Sequence, residues 1–177
     1  MKFKSQMQLD TMVEDMEMAQ NICNRELNEF FLNVGIFKKI LVTEASNKNV
    51  TKYREDSGKD ALILKPMPHV ALFKAIHFLK ENTDMDIDAI YRAANKIDFS
   101  YEKGSNHQWL KWVISDAGTI TTSGKVEGVL TRMLVYFIAG KPRCEKFENG
   151  QEWLDELFED YKELAGDVSE LPEPKFK

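Results

Sequence analysis

Leu9, Val13, Met16, Gln20, Cys23, Leu27, Phe30 and Val34 follow one another at alternating spacings of four and three residues. Only Gln20 among them is polar. This is an a/d heptad pattern, and it predicts one long helix over about residues 8–33 with a single apolar edge. The opposite side carries Asp10, Glu14, Glu17, Asn21, Arg25 and Asn28. Gly35 is placed to end the helix, because glycine adopts a left-handed C-cap at little cost. The edge must be covered. Met12 and Phe31 widen it, and ordered opposite charges are missing beside it. Both features favour packing against the domain's own body, with a second copy of the chain as the alternative.

Downstream the pattern changes character. Ile36–Thr43 is apolar and rich in β-branched residues, which suggests a strand, with a short helix as the alternative. Glu44–Lys59 is polar and contains asparagines and a Ser-Gly pair, as a loop would. Ala61–Leu64 fits a short buried strand. Pro66 and Pro68 open a helix reaching about Lys80, with Leu72, Phe73, Ile76 and Leu79 inward. Thr83 and Asp84 are positioned to cap a helix that turns Ile87, Ile90, Tyr91 and Ala94 inward. Ile97, Phe99 and Tyr101 alternate with polar residues as in a strand. Trp109–Ser115 and Thr119–Thr122 flank Asp116-Ala117-Gly118, a hairpin-like turn with Gly118 at positive φ.

Val126–Ile138 is apolar over most of a helical circumference, which marks the most buried helix of the chain. Gly140 and Pro142 end it. Asn149 and Glu152 have capping-box spacing ahead of a last helix bearing Trp153, Leu154, Leu157, Phe158, Tyr161 and Leu164. The sum is an α+β fold: one mostly helical domain over residues 1–166, with a small antiparallel sheet and a tail at 167–177.

The chain has 177 residues, of which 43% are hydrophobic and 30% charged, and it can bury a sizeable core as one domain. Its apolar runs are too short to cross a bilayer, and no basic leader precedes one. Two distant cysteines, Cys23 and Cys144, do not suggest a disulfide framework, so a cytoplasmic protein is expected. Glu145–Lys177 holds eleven acidic residues against four lysines, while the net charge of the whole chain is −5. The remainder is therefore about +2, which describes neither a basic nucleic-acid-binding domain nor a uniformly acidic mimic of one.

The candidate chemistry is thin. Asp116–Val126 superficially resembles a phosphate-binding loop, but five residues separate Gly118 from Gly124 and Val126 stands where a magnesium-binding hydroxyl is needed. Asp84, Asp86 and Asp88 alternate like the start of an EF-hand loop, yet Ala89 and Asn95 replace its glycine and its bidentate glutamate. His69 and His77 would lie ~12 Å apart along a helix, too far for one ion. No metal and no cofactor are expected, and no nucleophile motif is present. Trp109 and Trp112, with Lys103, His107, Lys111 and Lys125, form the candidate binding set. Aromatic rings interleaved with lysines suit single-stranded nucleic acid, although tryptophans at these positions also suit a core.

Ile90–Pro142 resembles the C-terminal region of DGQHR-domain proteins, the family that includes DndB-type regulators of DNA phosphorothioate modification. The resemblance rests on Ile97, Asp98, Phe99, Ser100, Trp109, Gly118 and Gly140, and more loosely on the order of elements upstream. The defining DGQHR pentapeptide is absent; Asp56–Asp60 reads DSGKD. The resemblance implies a DNA-modification, defence or phage context without an intact enzymatic core. Together these readings anticipate a non-catalytic interaction or regulatory protein. Its partner would be a macromolecule, protein rather than nucleic acid, with no membrane. The chain itself would be a monomer, or a homodimer through the N-terminal helix. A small enzyme with a site scattered in sequence, or a nucleic-acid binder at Trp109/Trp112, is the alternative.

Overall fold

The structure is a computed structural model, and it describes residues 6–42, 62–100, 108–109 and 111–176, with side chains from Glu14 onward. The loop expected at Glu44–Lys59 and the candidate residues Lys103 and His107 lie outside the described residues. Among the described residues there are seven α-helices: α1 (Gln6–Asn33), α2 (Gly35–Val42), α3 (Pro66–Asn82), α4 (Ile87–Lys96), α5 (Gly124–Ala139), α6 (Lys141–Cys144) and α7 (Gly150–Ala165). A buried 3-10 turn, Leu62–Leu64, precedes α3.

No strand forms among the described residues, so the fold is helical and the expected α+β class with its antiparallel sheet is overturned. Of the segments read as strands, Trp109 and Lys111–Val113 lie in turns, with Lys111 at φ 74°, and the remaining extended residues find only single-residue partners. Ile97 bridges Phe176, and Ile114 bridges Ile120 around a turn where Gly118 has the expected positive φ of 77°. Ile36–Val42, read as a strand, continues as helix α2. Leu62–Leu64, also read as a strand, is the 3-10 turn.

The core is built on α5. Ser123 caps it by accepting a hydrogen bond from the Val126 amide, and Gly140, at φ 78°, ends it. Val126, Val129, Leu130 and the unbroken run Met133–Ile138 are all buried, as the wide apolar stripe predicts. α3 is its most extensive packing partner. It begins at Pro66 and presents Ala71, Leu72, Ala75, Ile76 and Leu79 to it; the two alanines let the helices approach closely. α4 lies beside both, capped by Asp86 rather than by the expected Thr83 or Asp84. α7 closes the other side with Leu154, Leu157 and Tyr161. Its N-terminus is not the expected capping box. Asn149 is left-handed and its side chain makes no cap bond, while Gly150 approaches the Cys144 carbonyl so closely that any Cβ would collide with it.

Residues 167–176, read as a tail, run back over the body. Val168 and Leu171 pack on the core, the Asp98 amide donates to the Lys175 carbonyl, and the Lys175 amide donates to Gln108 Oε1.

Among the described side chains of α1, only those toward its C-terminal end join this body. Phe30 and Val34 are buried, and Phe30 meets Phe73 edge-on at 5.3 Å. Lys80 donates to Glu26 at 2.9 Å and to Glu29 at 3.2 Å. The join to α2 is held by Asn95, whose side chain accepts from the Gly35 amide and donates to the Asn33 carbonyl, each at 2.8 Å. Gly35 does not take the expected left-handed cap conformation; its amide is held by Asn95 instead. From Glu14 to Arg25 every side chain is exposed.

Candidate interaction surfaces

The candidate set around Trp109 separates into buried and exposed parts. Trp109 and Trp112 are 0% and 1% exposed. Trp109 stacks on Phe99 at 5.4 Å and donates its indole N–H to the Asp98 carbonyl. Trp112 meets Tyr161 edge-on and donates to the Gln108 carbonyl. Both rings have apolar partners on their faces and their single donors are satisfied, so neither presents a stacking platform to a base. Lys111 is exposed next to them, in a tight turn at φ 74°. Lys125 is distant in role: it pairs with Glu163 and Asp160 on α7. Arg132 also pairs with Asp160. The described members of the set therefore do not form one basic, aromatic surface.

The remaining polar candidates have local duties. His77 stacks parallel to Phe73, and the His69 ring meets Phe37 edge-on. Asp86 caps α4. Among the described residues no three His, Cys, Asp or Glu side chains are grouped to hold a metal ion. Cys144 is fully buried, and burial pushes its thiol up to about 12, whereas Cys23 is exposed; both are free. No helix in the described part is long and apolar enough to cross a membrane.

Two features do present themselves to a partner. The first is α1. Its seam positions Met16, Gln20, Cys23 and Leu27 are all exposed, Met16 by 68% and Leu27 by 41%. The same seam enters the core three residues later at Phe30. Met18, Ile22 and Leu32 lie on the far side of the helix and are exposed as well. The pattern favoured packing of this edge against the domain's own body, but from Met16 to Leu27 the seam is exposed and only Phe30 and Val34 enter the core.

The second is a groove of about 230 Å³ between α7 and the returning segment 169–173. Tyr136 forms part of its lining, with Leu154 and Phe158 on one wall and Leu171 on the other. Glu170 and Glu173 stand at its rim. Burial raises the Tyr136 hydroxyl above its ordinary range, and Glu173, Cys144 and Glu170 add to the shift through their charges. Sequence reasoning counted Tyr136 as core filling, since periodicity does not report where a hydroxyl ends. A further cavity of about 240 Å³ sits at the α1–α2 join, lined by Val34, Ile36, Ile63 and Phe99.

Neither a family model, nor a curated protein, nor a solved structure matches this chain.

Proposed function

We propose that this chain is a non-catalytic interaction protein that acts by macromolecular binding, with α1 as its binding element and a second copy of the chain as the first occupant. The observation that supports this reading is the exposed seam of α1. Residues 6–28 form about 34 Å of helix at 1.5 Å per residue, on which every side chain from Glu14 to Arg25 is exposed. Most helical stability in proteins comes from packing an amphipathic face, so an apolar edge of this extent gains most by being paired.

Self-pairing is favoured by the seam itself. Gln20 occupies an a position, where a polar residue costs stability unless it meets a hydrogen-bonding partner. In a parallel pair of identical helices in register it meets itself. The flanking pairs in that arrangement set Met12 against Glu17 and Ala19 against Asn24, with no like charges opposed. A strip about 34 Å long and about 10 Å wide covers about 340 Å² per partner, less than half of the about 800 Å² of a standard specific interface, which places the pair among weak, transient associations. The association should therefore be reversible and concentration-dependent. The resemblance of Ile90–Pro142 to DndB-type proteins is in keeping with a regulatory role in a DNA-modification or defence setting, and the missing DGQHR pentapeptide is in keeping with a role that needs no catalysis.

Sedimentation velocity across a concentration series tests the reading. The parent should pass from monomer to dimer. Leu27→Asp, on the seam, should remain a folded monomer, while Ile22→Glu, on the far side, should dimerise like the parent. A parent that stays monomeric to millimolar concentration, or equal effects of the two substitutions, would reject it.

A further inference from the structure

We propose that the groove between α7 and residues 169–173 is a binding site for a primary alkylammonium ion, of the kind that ends a lysine side chain. The site is independent of α1.

The first observation is Tyr136. Its side chain is 5% exposed, it forms part of the groove's lining, and its hydroxyl makes no hydrogen bond with any described residue. A buried hydroxyl without a partner is destabilising, and a ligand donor would remove that penalty.

The second observation is charge. Glu170 and Glu173 lie close enough to act electrostatically on that hydroxyl. Neither takes part in an ion pair among the described residues. Asp155, also in the groove, already accepts a hydrogen bond from Gln151 at 2.8 Å. Lys141 reaches the groove from α6 but is exposed and pairs with none of the three carboxylates. The acidic excess of the C-terminal region thus converges here on an unfilled acceptor set.

The third is shape and polarity. A volume of about 230 Å³ admits an unbranched four-carbon stem but not a large ring system. Leu154, Phe158 and Leu171 supply apolar walls for such a stem. At its end an ammonium group has three donors in a compact head, matching the Tyr136 oxygen and the two rim glutamates. A guanidinium, planar and forked, fits a single phenolic oxygen less well. A cation seated here is attracted by two carboxylates and is partly removed from water, which strengthens the attraction relative to an exposed pair.

Two sources carry this chemistry: a lysine on a partner protein, and a free diamine. The experiment uses Nα-acetyl-lysine methylamide and 1,5-diaminopentane as probes, with Nα-acetyl-norleucine methylamide (the norleucine amide below) as the uncharged control of equal stem. Binding is read by NMR shift perturbation at low ionic strength on the full chain. Either cationic probe should give saturable shifts at Tyr136, Leu154, Phe158 and Leu171, with the norleucine amide at least about tenfold weaker, as one lost charge-assisted hydrogen bond predicts. The tighter of the two cations identifies the source. Tyr136→Phe should lower affinity several-fold while leaving thermal stability unchanged or raised, because it deletes an unpartnered hydroxyl. Lys141→Met should tighten binding by removing a like charge. Equal binding of the norleucine amide, absence of shifts with both cations, or a Tyr136→Phe protein that binds as well as the parent would overturn the proposal.

Discussion

Cys144 and Cys23 carry the same thiol in opposite surroundings. Cys144 is enclosed where α6 meets α7, and desolvation of its thiolate pushes the group up to about 12, so at neutral pH it is a thiol behind a wall. Cys23 is open on α1. An aromatic disulfide reagent at pH 8 should therefore label one thiol in the native protein and two in denaturant; fast labelling of both in the native state would contradict the burial. The neighbouring Gly150 faces a stricter constraint. Its missing Cβ makes room for the Cys144 carbonyl, a backbone atom that cannot swing aside. Gly150→Ala should cost roughly 1–3 kcal/mol through overpacking, seen as a lower urea midpoint with the slope unchanged. Leu134, fully buried on α5, gives the converse case: Leu134→Ala should cost about 2–5 kcal/mol.

At the scale of elements, the Lys80 pair with Glu26 and Glu29 is the electrostatic tether of α1. The hydrogen bond from Lys80 holds the Glu26 carboxyl below its ordinary value of 4.5, and the bond to Glu26 raises Lys80 above 10.5. The lowered Glu26 contributes stability that is present above pH 4.5 and lost as pH falls through its lower folded value. The raised Lys80 contributes stability that is present below pH 10.5 and lost as pH rises through its higher one. The tether is thus complete at neutral pH and should weaken at acid pH, by no more than about 1 kcal/mol given its solvent access. Protection of amides 26–33 against hydrogen exchange, taken relative to the intrinsic rate at each pH, should fall at acid pH in the parent, and Lys80→Met should show the low protection at neutral pH too.

The elements also show what periodicity can report. The stripes of α1, α3 and α5 are long, and each was legible as a helix with the correct inward face for α3 and α5. Ile36–Val42 was not, because seven residues, five of them apolar and partly β-branched, fit a strand or a buried helix equally well. What decides it is Asn95, sixty residues away, bonding both sides of the α1–α2 join. Ile97–Phe99 and Ile114 are extended as expected, but a strand needs a neighbour of matching length, and Phe176 and Ile120 each supply one residue. The tryptophans of the candidate site were visible as aromatic, while their enclosure by Phe99, Phe137 and Tyr161 is a long-range fact. The Tyr136 groove was invisible for the same reason, since one wall is the segment read as a tail.

On the scale of the whole molecule, the chain divides into a sealed body and a protruding helix. The body's last described segment is part of its seal: the Gln108 amide donates to the Asp98 and Lys175 carbonyls, and Leu171 packs on the core. Deleting residues 167–177 should lower the thermal midpoint by several degrees, about what a loss of 1–2 kcal/mol produces in a domain of this size; an unchanged midpoint would show that the segment only rests on the surface.

The enclosure of Trp109 and Trp112 also has a spectroscopic consequence. α1 contains neither tryptophan nor tyrosine, yet it is the longest helix and a large share of the circular dichroism signal. Indole fluorescence is therefore nearly blind to α1 and reports the body, whereas ellipticity reports both. If α1 melts before the body, the two signals will give non-coincident unfolding curves from a single chain. The ellipticity curve should then move with protein concentration, and the fluorescence curve should stay where it is.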